Sequence, residues 1–382
     1  MSNPLKVGIV GAGGITRAHL PAYLERPDRV QLNAVCDLVE PLAQELAKKA
    51  GIDAVYLDIN EMLRDADIEA VDICTTHNAH APLAIAAAEA GKHVIVEKPM
   101  AISVQECKDM IAAADKAGTT LMVAQHLRYA PEARAAKRLL DEGKLGMIEA
   151  VRTELFGGGM RGRRRRRRQG ERWMQDARRS GGGMMMSEQV HHIDLLRYYA
   201  GNVKRVNGVC KSLQEHMTHG AEDLVSATLE FESGAVGEVW AKGNAIVPHG
   251  RTYTIFGNRG VFYASTPTRE QREVEISGAT PFRHFGHIMV ALNEDLPDLD
   301  PSNMEDRRKM YFAEPPFKVL DTSDIDLPSP NYFINEILHF AECCLTGEEP
   351  LSSGRDNIGT MKIIMGIYES SRTGQPVNLD DL

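Results

Sequence analysis

The sequence predicts an α/β protein whose first part is a doubly wound parallel sheet of Rossmann type and whose second domain carries strands joined as hairpins. Three observations predict the first part. Val94, Ile95 and Val96 form an apolar run without polar alternation, which reads as a central strand covered on both faces, and the run stops at Glu97, Lys98 and Pro99. Apolar runs alternate with helical patterns from the N-terminus to about residue 125, the order that gives right-handed βαβ crossovers. Lys6 to Val10 is followed at once by Gly11, Ala12, Gly13, Gly14 and Ile15, a glycine turn between a strand and a helix. Ligands of such sheets bind beyond the carboxyl ends of the strands, so Lys98 is expected to face a crevice.

At 382 residues the chain exceeds the usual size of one core, and two domains are expected, 1–125 and 126–382. A hydrophobic share of 43% with 25% charged residues excludes a disordered chain. Cys36, Cys74, Cys107, Cys210, Cys343 and Cys344 form no CxxC pair and no cluster at zinc-ligand spacing. Reduced thiols, no metal and a cytoplasmic location are therefore expected. The first strand begins within six residues of Met1, and no run of about 18 apolar residues follows, so neither a signal peptide nor a membrane span is expected.

The glycine turn lets backbone approach a pyrophosphate, and the helix after it, patterned through Leu24, offers unpaired N–H groups and a positive dipole end. Thr16 stands where a third glycine or an alanine would let helix and strand pack closely. Gln31 to Cys36 reads as the second strand and ends on Asp37. A carboxylate there accepts from an adenosine ribose and repels a 2′-phosphate, although an Asp in that place also suits a helix N-cap. No Arg follows at Leu38 or Val39, which favours NAD over NADP. Further strands are expected at Ala70 to Cys74 and His93 to Val96, with a helix between them from Ala79 to Ala90 and Gly91 just past its end. Ser103 and Glu106 have capping-box spacing for a helix that reaches about Lys116 and stops at Gly118. Thr120 to Ala124 is one more strand.

In the second domain Val190 to Tyr199 reads as a helix. His191, Asp194, Leu195 and Tyr198 share one face by the three-and-four rule, which sets a base beside an orienting acid. His192 lies about 100° away and is expected to pack in the core. Leu224 to Phe231 and Gly234 to Lys242 form a hairpin around Ser233 and Gly234, and Tyr253 to Phe256 and Gly260 to Tyr263 repeat it around Asn258. Residues 265–330 are rich in Pro, Asp and charge and read as an insertion near the pocket mouth or a subunit interface. Asn331 to Leu345 is an amphipathic helix. Residues 161–179 hold ten arginines, among them Arg161, Arg163 to Arg168, Arg172, Arg178 and Arg179, against Glu171 and Asp176. Such a run reads as a solvated loop; it also suits gripping a carboxylate, a phosphate or an acidic face of a neighbouring subunit. A nucleic-acid partner is not expected, since the chain carries −9 overall and Trp173 is the run's one aromatic.

The glycine turn, Asp37, the segment VDICTTHNAHAPLAIAAAEAGKHVIVEKPMA and the later GGGMMMSEQVHHIDLLRYYAG, in that order, resemble the Gfo/Idh/MocA family of NAD(P)-dependent oxidoreductases. The segment PLSSGRDNIGTMKIIMGIYESSRTGQPVNL is similar to that family's terminal helix and strand. The resemblance implies a Rossmann domain followed by an α+β domain with a large open, mainly antiparallel sheet that supports a homodimer or homotetramer. It implies that Lys98 is the lysine of the EKP motif, with Glu97 its acidic neighbour and His80 the histidine before the crossover helix. Thr76 and His77 stand where the family usually has Pro and Asn. Arg128 and Tyr129 match an Arg-aromatic pair after the last Rossmann strand. His191 fits the catalytic histidine and Asp194 the acid three residues later, while Ser187 takes the place of an Asp four residues before the histidine. Cofactor contacts are thus expected from Gly11, Gly13, Gly14, Ile15, Asp37, Thr75, Thr76, His77, His80, Glu97 and Lys98. Substrate contacts are expected from Lys98, Arg128, Tyr129, Ser187 and His191, and catalysis from Lys98, His191 and Asp194.

Oxidising a secondary alcohol requires a proton to leave oxygen as hydride leaves carbon. His supplies a base of near-neutral pKa, and Lys98 supplies positive charge where negative charge develops. The expected function is NAD-dependent oxidation of a secondary hydroxyl of a sugar, inositol, related cyclic polyol or sugar acid. Two other readings stay open: transient use of bound NAD for elimination or glycoside cleavage, and a non-catalytic nucleotide-binding sensor.

Overall fold

The computed structural model describes residues 3–158, 173–245, 250–265, 287–292, 302–306, 317–320, 322 and 324–382. Arg161 to Arg168 and Arg172, and most of the segment 265–330, lie outside the described residues.

Six short strands, β1 (Leu5–Val10), β2 (Val30–Cys36), β3 (Val55–Tyr56), β4 (Ala70–Ile73), β5 (His93–Glu97) and β6 (Leu121–Ala124), form one sheet in the order β3-β2-β1-β4-β5-β6. Every neighbouring pair is parallel. Ile9, Ile73, Val94, Ile95, Val96 and Val123 are buried, each contributing roughly 1.5–3 kcal/mol relative to exposure. Helices α1 (Thr16–Glu25), α2 (Glu40–Ala50), α3 (Ile59–Asp65), α4 (His77–Glu89) and α5 (Val104–Ala117) connect the strands. Ser103 caps α5 by accepting from Glu106 N at 3.1 Å, and the Glu106 carboxylate accepts from Ile102 N at 2.9 Å, a capping box displaced by one residue. The strand order reverses between β1 and β4, which opens a crevice beyond their carboxyl ends. Gly11 stands at that point with φ +94°, and a Cβ there would lie 2.5 Å from the Cys74 carbonyl oxygen, so no other residue fits.

Helix α6 (Pro131–Asp141) leads into a nine-stranded sheet of β7 (Ile148–Gly158), β8 (Val203–Lys211), β9 (Leu224–Phe231), β10 (Val236–Ala245), β11 (Gly250–Gly257), β12 (Gly260–Ser265), β13 (His287–Leu292), β14 (Lys318–Val319) and β15 (Val377–Asn378). Its order is β14-β13-β12-β11-β7-β10-β9-β8-β15. The β10–β7 pair is parallel and the other pairs are antiparallel. The fold is the implied one, a Rossmann sheet followed by a large, mainly antiparallel sheet. On its inner face Val151, Leu155, Val239, Tyr253 and Ile255 are buried, under α8 (Val190–Ala200) and α10 (Gly354–Thr373), while a single helical turn α7 (Ala177–Ser180) packs against α4. On its outer face Val236, Ala150 and Phe256 stand abreast, and Val236, Phe256 and Trp240 are exposed.

Helix α9 (Tyr332–Thr346) is capped by Asn331, whose side chain accepts from Phe333 N at 3.1 Å. It packs against α1 and the 3₁₀ turn His126–Tyr129, and α10 packs against α5. The end of the chain thus contributes two helices to the layers around the first sheet. Among the described residues no helix is long and apolar enough to cross a membrane.

Candidate active site

The glycine turn is open where a dinucleotide would lie. Gly13 and Gly14 are exposed, and a Cβ added to Gly14 would meet nothing within 4 Å. Helix α1 starts directly after the turn with no side-chain cap and no acid in its first turn, which leaves its positive end to an anion. Thr16 is buried, and its hydroxyl donates to the Gly13 carbonyl at 2.7 Å. That bond is the reason the departure from the fingerprint is tolerated: the larger side chain satisfies its own polar group inside the turn. Asp37 closes β2, accepting from Ala12 N at 2.6 Å and Val39 N at 2.7 Å, so its carboxylate stands beside the glycine turn. An uncapped helix end, a turn without side chains and an acid at the end of β2 fit NAD.

At the end of β5 the Lys98 ammonium donates to the backbone carbonyl of Ser187 at 2.5 Å, and the Lys98–Pro99 peptide is cis. Ser187 lies in the π-helical turn Met185–Gln189 that runs straight into α8. Its hydroxyl donates back to the Gly183 carbonyl at 2.9 Å. Its backbone therefore meets Lys98, and its side chain does not. Glu97 points inward: one oxygen accepts from Lys98 N at 3.0 Å and the other from His19 Nε2 at 3.1 Å. The expected cofactor contact from Glu97 is corrected on this ground, because its carboxylate, unlike the half-exposed Asp37, is buried with both oxygens engaged within the fold. His80 is fully enclosed, with Nδ1 donating to the Pro99 carbonyl at 2.8 Å, and burial lowers its basicity. It braces the Lys98–Pro99 turn and has no face toward a ligand, a second correction. His77 donates from Nδ1 to the Ser180 carbonyl at 2.8 Å and packs edge-on against Trp173 at 4.7 Å. Burial pushes its basicity well below the ordinary value. Thr75 and Thr76 stand half-buried at the rim, the Thr76 hydroxyl donating to Asn78 Oδ1 at 2.9 Å.

His191 lies on α8 with Nδ1 3.0 Å from Gln125 Oε1. Gln125 follows β6 and is buried. An amide oxygen only accepts, so a proton on Nδ1 satisfies this contact and would leave the lone pair on Nε2. The His126 ring packs edge-on against His191 at 4.2 Å, and its basicity is well below normal through burial first and the Lys98 charge second. His192 stacks on Tyr253 at 4.9 Å and hydrogen-bonds its hydroxyl.

Asp194 does not orient His191. It is 1% exposed and takes both ends of the Arg128 guanidinium, from Nε and Nη2 at 2.7 Å each. It also accepts from Asn357 Nδ2 and Thr360 Oγ1 at 3.1 Å each. Arg128 further donates to the Leu351 carbonyl at 2.7 Å and meets Asp356 at 2.6 Å. The expected roles of Asp194 in catalysis and Arg128 in substrate binding are corrected: buried charges require a complete set of partners, and these two serve each other. Tyr129 is also corrected, since its ring is buried and its hydroxyl lies 3.4 Å from Ser352 Oγ. Gln125 is the site residue that sequence reasoning missed; its only signal is its place just beyond the carboxyl end of β6, the edge strand of the parallel sheet.

A dinucleotide turn in one domain, with a lysine at the strand end clasped to the helix that carries a histidine in the other, defines a nicotinamide-dependent oxidoreductase. Residues 5–125 match the NAD-binding Rossmann fold of an oxidoreductase family and residues 137–379 match its C-terminal α/β domain, so the chain belongs to the Gfo/Idh/MocA family. It is 27% identical to D-apiose dehydrogenase of Paraburkholderia graminis over 99% of this chain and 90% of that one. It is 25% identical to myo-inositol 2-dehydrogenase of Thermotoga maritima over 95% of this chain and 94% of that one. A solved levoglucosan dehydrogenase in complex with NADH superimposes with a TM-score of 0.81 at 25% identity, covering 99% of both chains.

Proposed function

We propose that this oxidoreductase oxidises a secondary hydroxyl of a sugar, inositol, related cyclic polyol or sugar acid by hydride transfer. Bound NAD supplies the hydride acceptor. His191, with its Nδ1 proton held by Gln125, takes the hydroxyl proton at Nε2. The Lys98 ammonium offsets the negative charge that grows on the oxygen as that proton leaves. The observation that carries this reading is the clasp between Lys98 and the Ser187 carbonyl, which brings the cation of the first domain to the helix bearing the base. The relatives acting on apiose, levoglucosan and inositol support the same substrate class. A panel of aldoses, anhydro sugars, inositols and sugar acids, incubated with NAD and followed by NADH absorbance, tests it. Failure of every member to yield NADH would overturn it.

Further contacts of the site follow from the same reading. Gly11, Gly13, Gly14, Ile15, Asp37, Thr75, Thr76 and His77 border the cofactor, and Lys98 and His191 meet the substrate. A homodimer or homotetramer forms through the outer face of the nine-stranded sheet, where Val236, Phe256 and Trp240 are exposed. Light scattering that gives a monomer mass at micromolar concentration would overturn the assembly.

A further inference from the structure

His19 sits on α1, the helix that begins at the glycine turn, and its imidazole is enclosed in the fold. Nδ1 donates to Asp72 Oδ2 at 2.9 Å and Nε2 donates to Glu97 Oε1 at 3.1 Å. Asp72 also accepts from the Tyr23 hydroxyl at 2.9 Å and from the Cys74 thiol at 3.4 Å. Two carboxylates on two ring nitrogens suit a ring that donates from both, the imidazolium form. Burial opposes that form, and the neighbouring Asp72 overrides it, so the basicity of His19 is raised well above the ordinary value. On α9, burial pushes the Glu336 carboxyl well above the ordinary carboxylate range. Such a network is costly to assemble and is strongly directional once complete.

What the network touches is the lysine. The second oxygen of Glu97 accepts from Lys98 N, so the chain of contacts runs from α1 through His19 and Glu97 to the backbone of Lys98, whose ammonium then reaches Ser187. We propose that His19 is a positioning residue for Lys98: it ties the helix that receives the cofactor's phosphates to the residue that meets the reacting oxygen, so that the two are set in one geometry. The proposal rests on Lys98 acting in the reaction. A displacement on the order of 1 Å at a reacting group costs about a hundredfold in rate, and one lost bond to Glu97 gives the Lys98 backbone that freedom.

The test uses His19→Gln and Glu97→Gln, each alone and combined with Lys98→Ala, in the full chain. Each single variant is expected to lower kcat about ten- to a hundredfold, with KM changed by less than about threefold. In the Lys98→Ala background neither is expected to lower kcat further, because a residue acting through Lys98 has nothing left to place. Losses that multiply in the double variants would overturn the proposal, as would a lowered thermal midpoint with kcat of the folded fraction intact. A second readout needs no substrate: acetylation of Lys98 by limiting acetic anhydride, read by peptide mass spectrometry against the exposed Lys49. His19→Gln is expected to change the Lys98 rate at least about threefold, and Glu97→Gln supplies the same comparison where His19→Gln does not fold. An unchanged labelling rate overturns the positioning role whatever the turnover. A changed rate with no turnover of any substrate leaves the positioning role standing and removes the dehydrogenase reading instead.

Discussion

Gln125 Oε1 lies 3.0 Å from His191 Nδ1, a contact that runs from just beyond the last strand of the parallel sheet to a helix of the second domain. An amide oxygen there favours a proton on Nδ1, and the contact makes the histidine's basicity adjustable from position 125. Gln125→Glu sets a carboxylate there, which raises the histidine's pKa. The base form then appears only at higher pH, so the acidic limb of kcat/KM is expected to move up by about one pH unit or more. Gln125→Leu is expected to lower kcat by about tenfold or more without moving NAD affinity. A pH profile identical to that of the unsubstituted protein for Gln125→Glu would remove Gln125 from the site.

Lys98→Ala and His191→Ala are each expected to lower kcat by about two to four orders of magnitude, with a smaller effect on NAD affinity. His192→Ala is expected to lower the thermal midpoint and leave kcat of the folded fraction nearly intact, because His192 stacks on Tyr253 within the core. Kinetics and melting of the three variants decide it. A dead His192 variant beside an active His191→Ala would reassign the base.

Asp37 is expected to make NAD bind more tightly than NADP, since its carboxylate beside the Ala12 amide meets a 2′-phosphate with like charge. Asp37→Ser should narrow the difference by about tenfold. Calorimetric titration of both cofactors gives the answer, and equal affinity in the unsubstituted protein would take Asp37 away from the ribose.

Asp194→Asn is expected to cost about 3–5 kcal/mol of stability, because it leaves the buried Arg128 guanidinium short of a counter-charge. KM of the folded fraction should hold. Replacing the pair together, with Arg128→Met and Asp194→Leu, should recover part of the loss in urea denaturation. A large rise in KM at unchanged stability would return Asp194 to the substrate pocket.

Five of the six strands of the first sheet, all but the two-residue β3, the helix ends at Ser103 and Gly118 and the hairpins of the second sheet were legible in the sequence because each is written locally, in apolar runs and turn residues. The site was legible in part. Spacing put Asp194 on the His191 face, but the three-and-four rule gives a face and no partner. The partner, Arg128, lies 66 residues earlier and arrives only through tertiary packing. Ser187 looked like a lost acid, yet its contribution to Lys98 is a backbone carbonyl, which every residue type carries and no sequence reveals. Gln125 left no motif because a neutral amide that fixes a tautomer needs neither charge nor periodic spacing.

Helix α9 comes from the far end of the chain to cover α1, with Phe333 beside the His19 ring. During synthesis the six parallel strands leave the ribosome roughly 200 residues ahead of that helix, and at about 5–20 residues per second the interval is on the order of ten seconds or more. For that time the surface of α1 beside His19 lacks the native cover that Phe333 gives it. Folding of the first domain is therefore completed only once residues 332–346 have been made, and an exchange of halves between relatives has to carry Tyr332–Thr346 along with the N-terminal part to keep that surface matched.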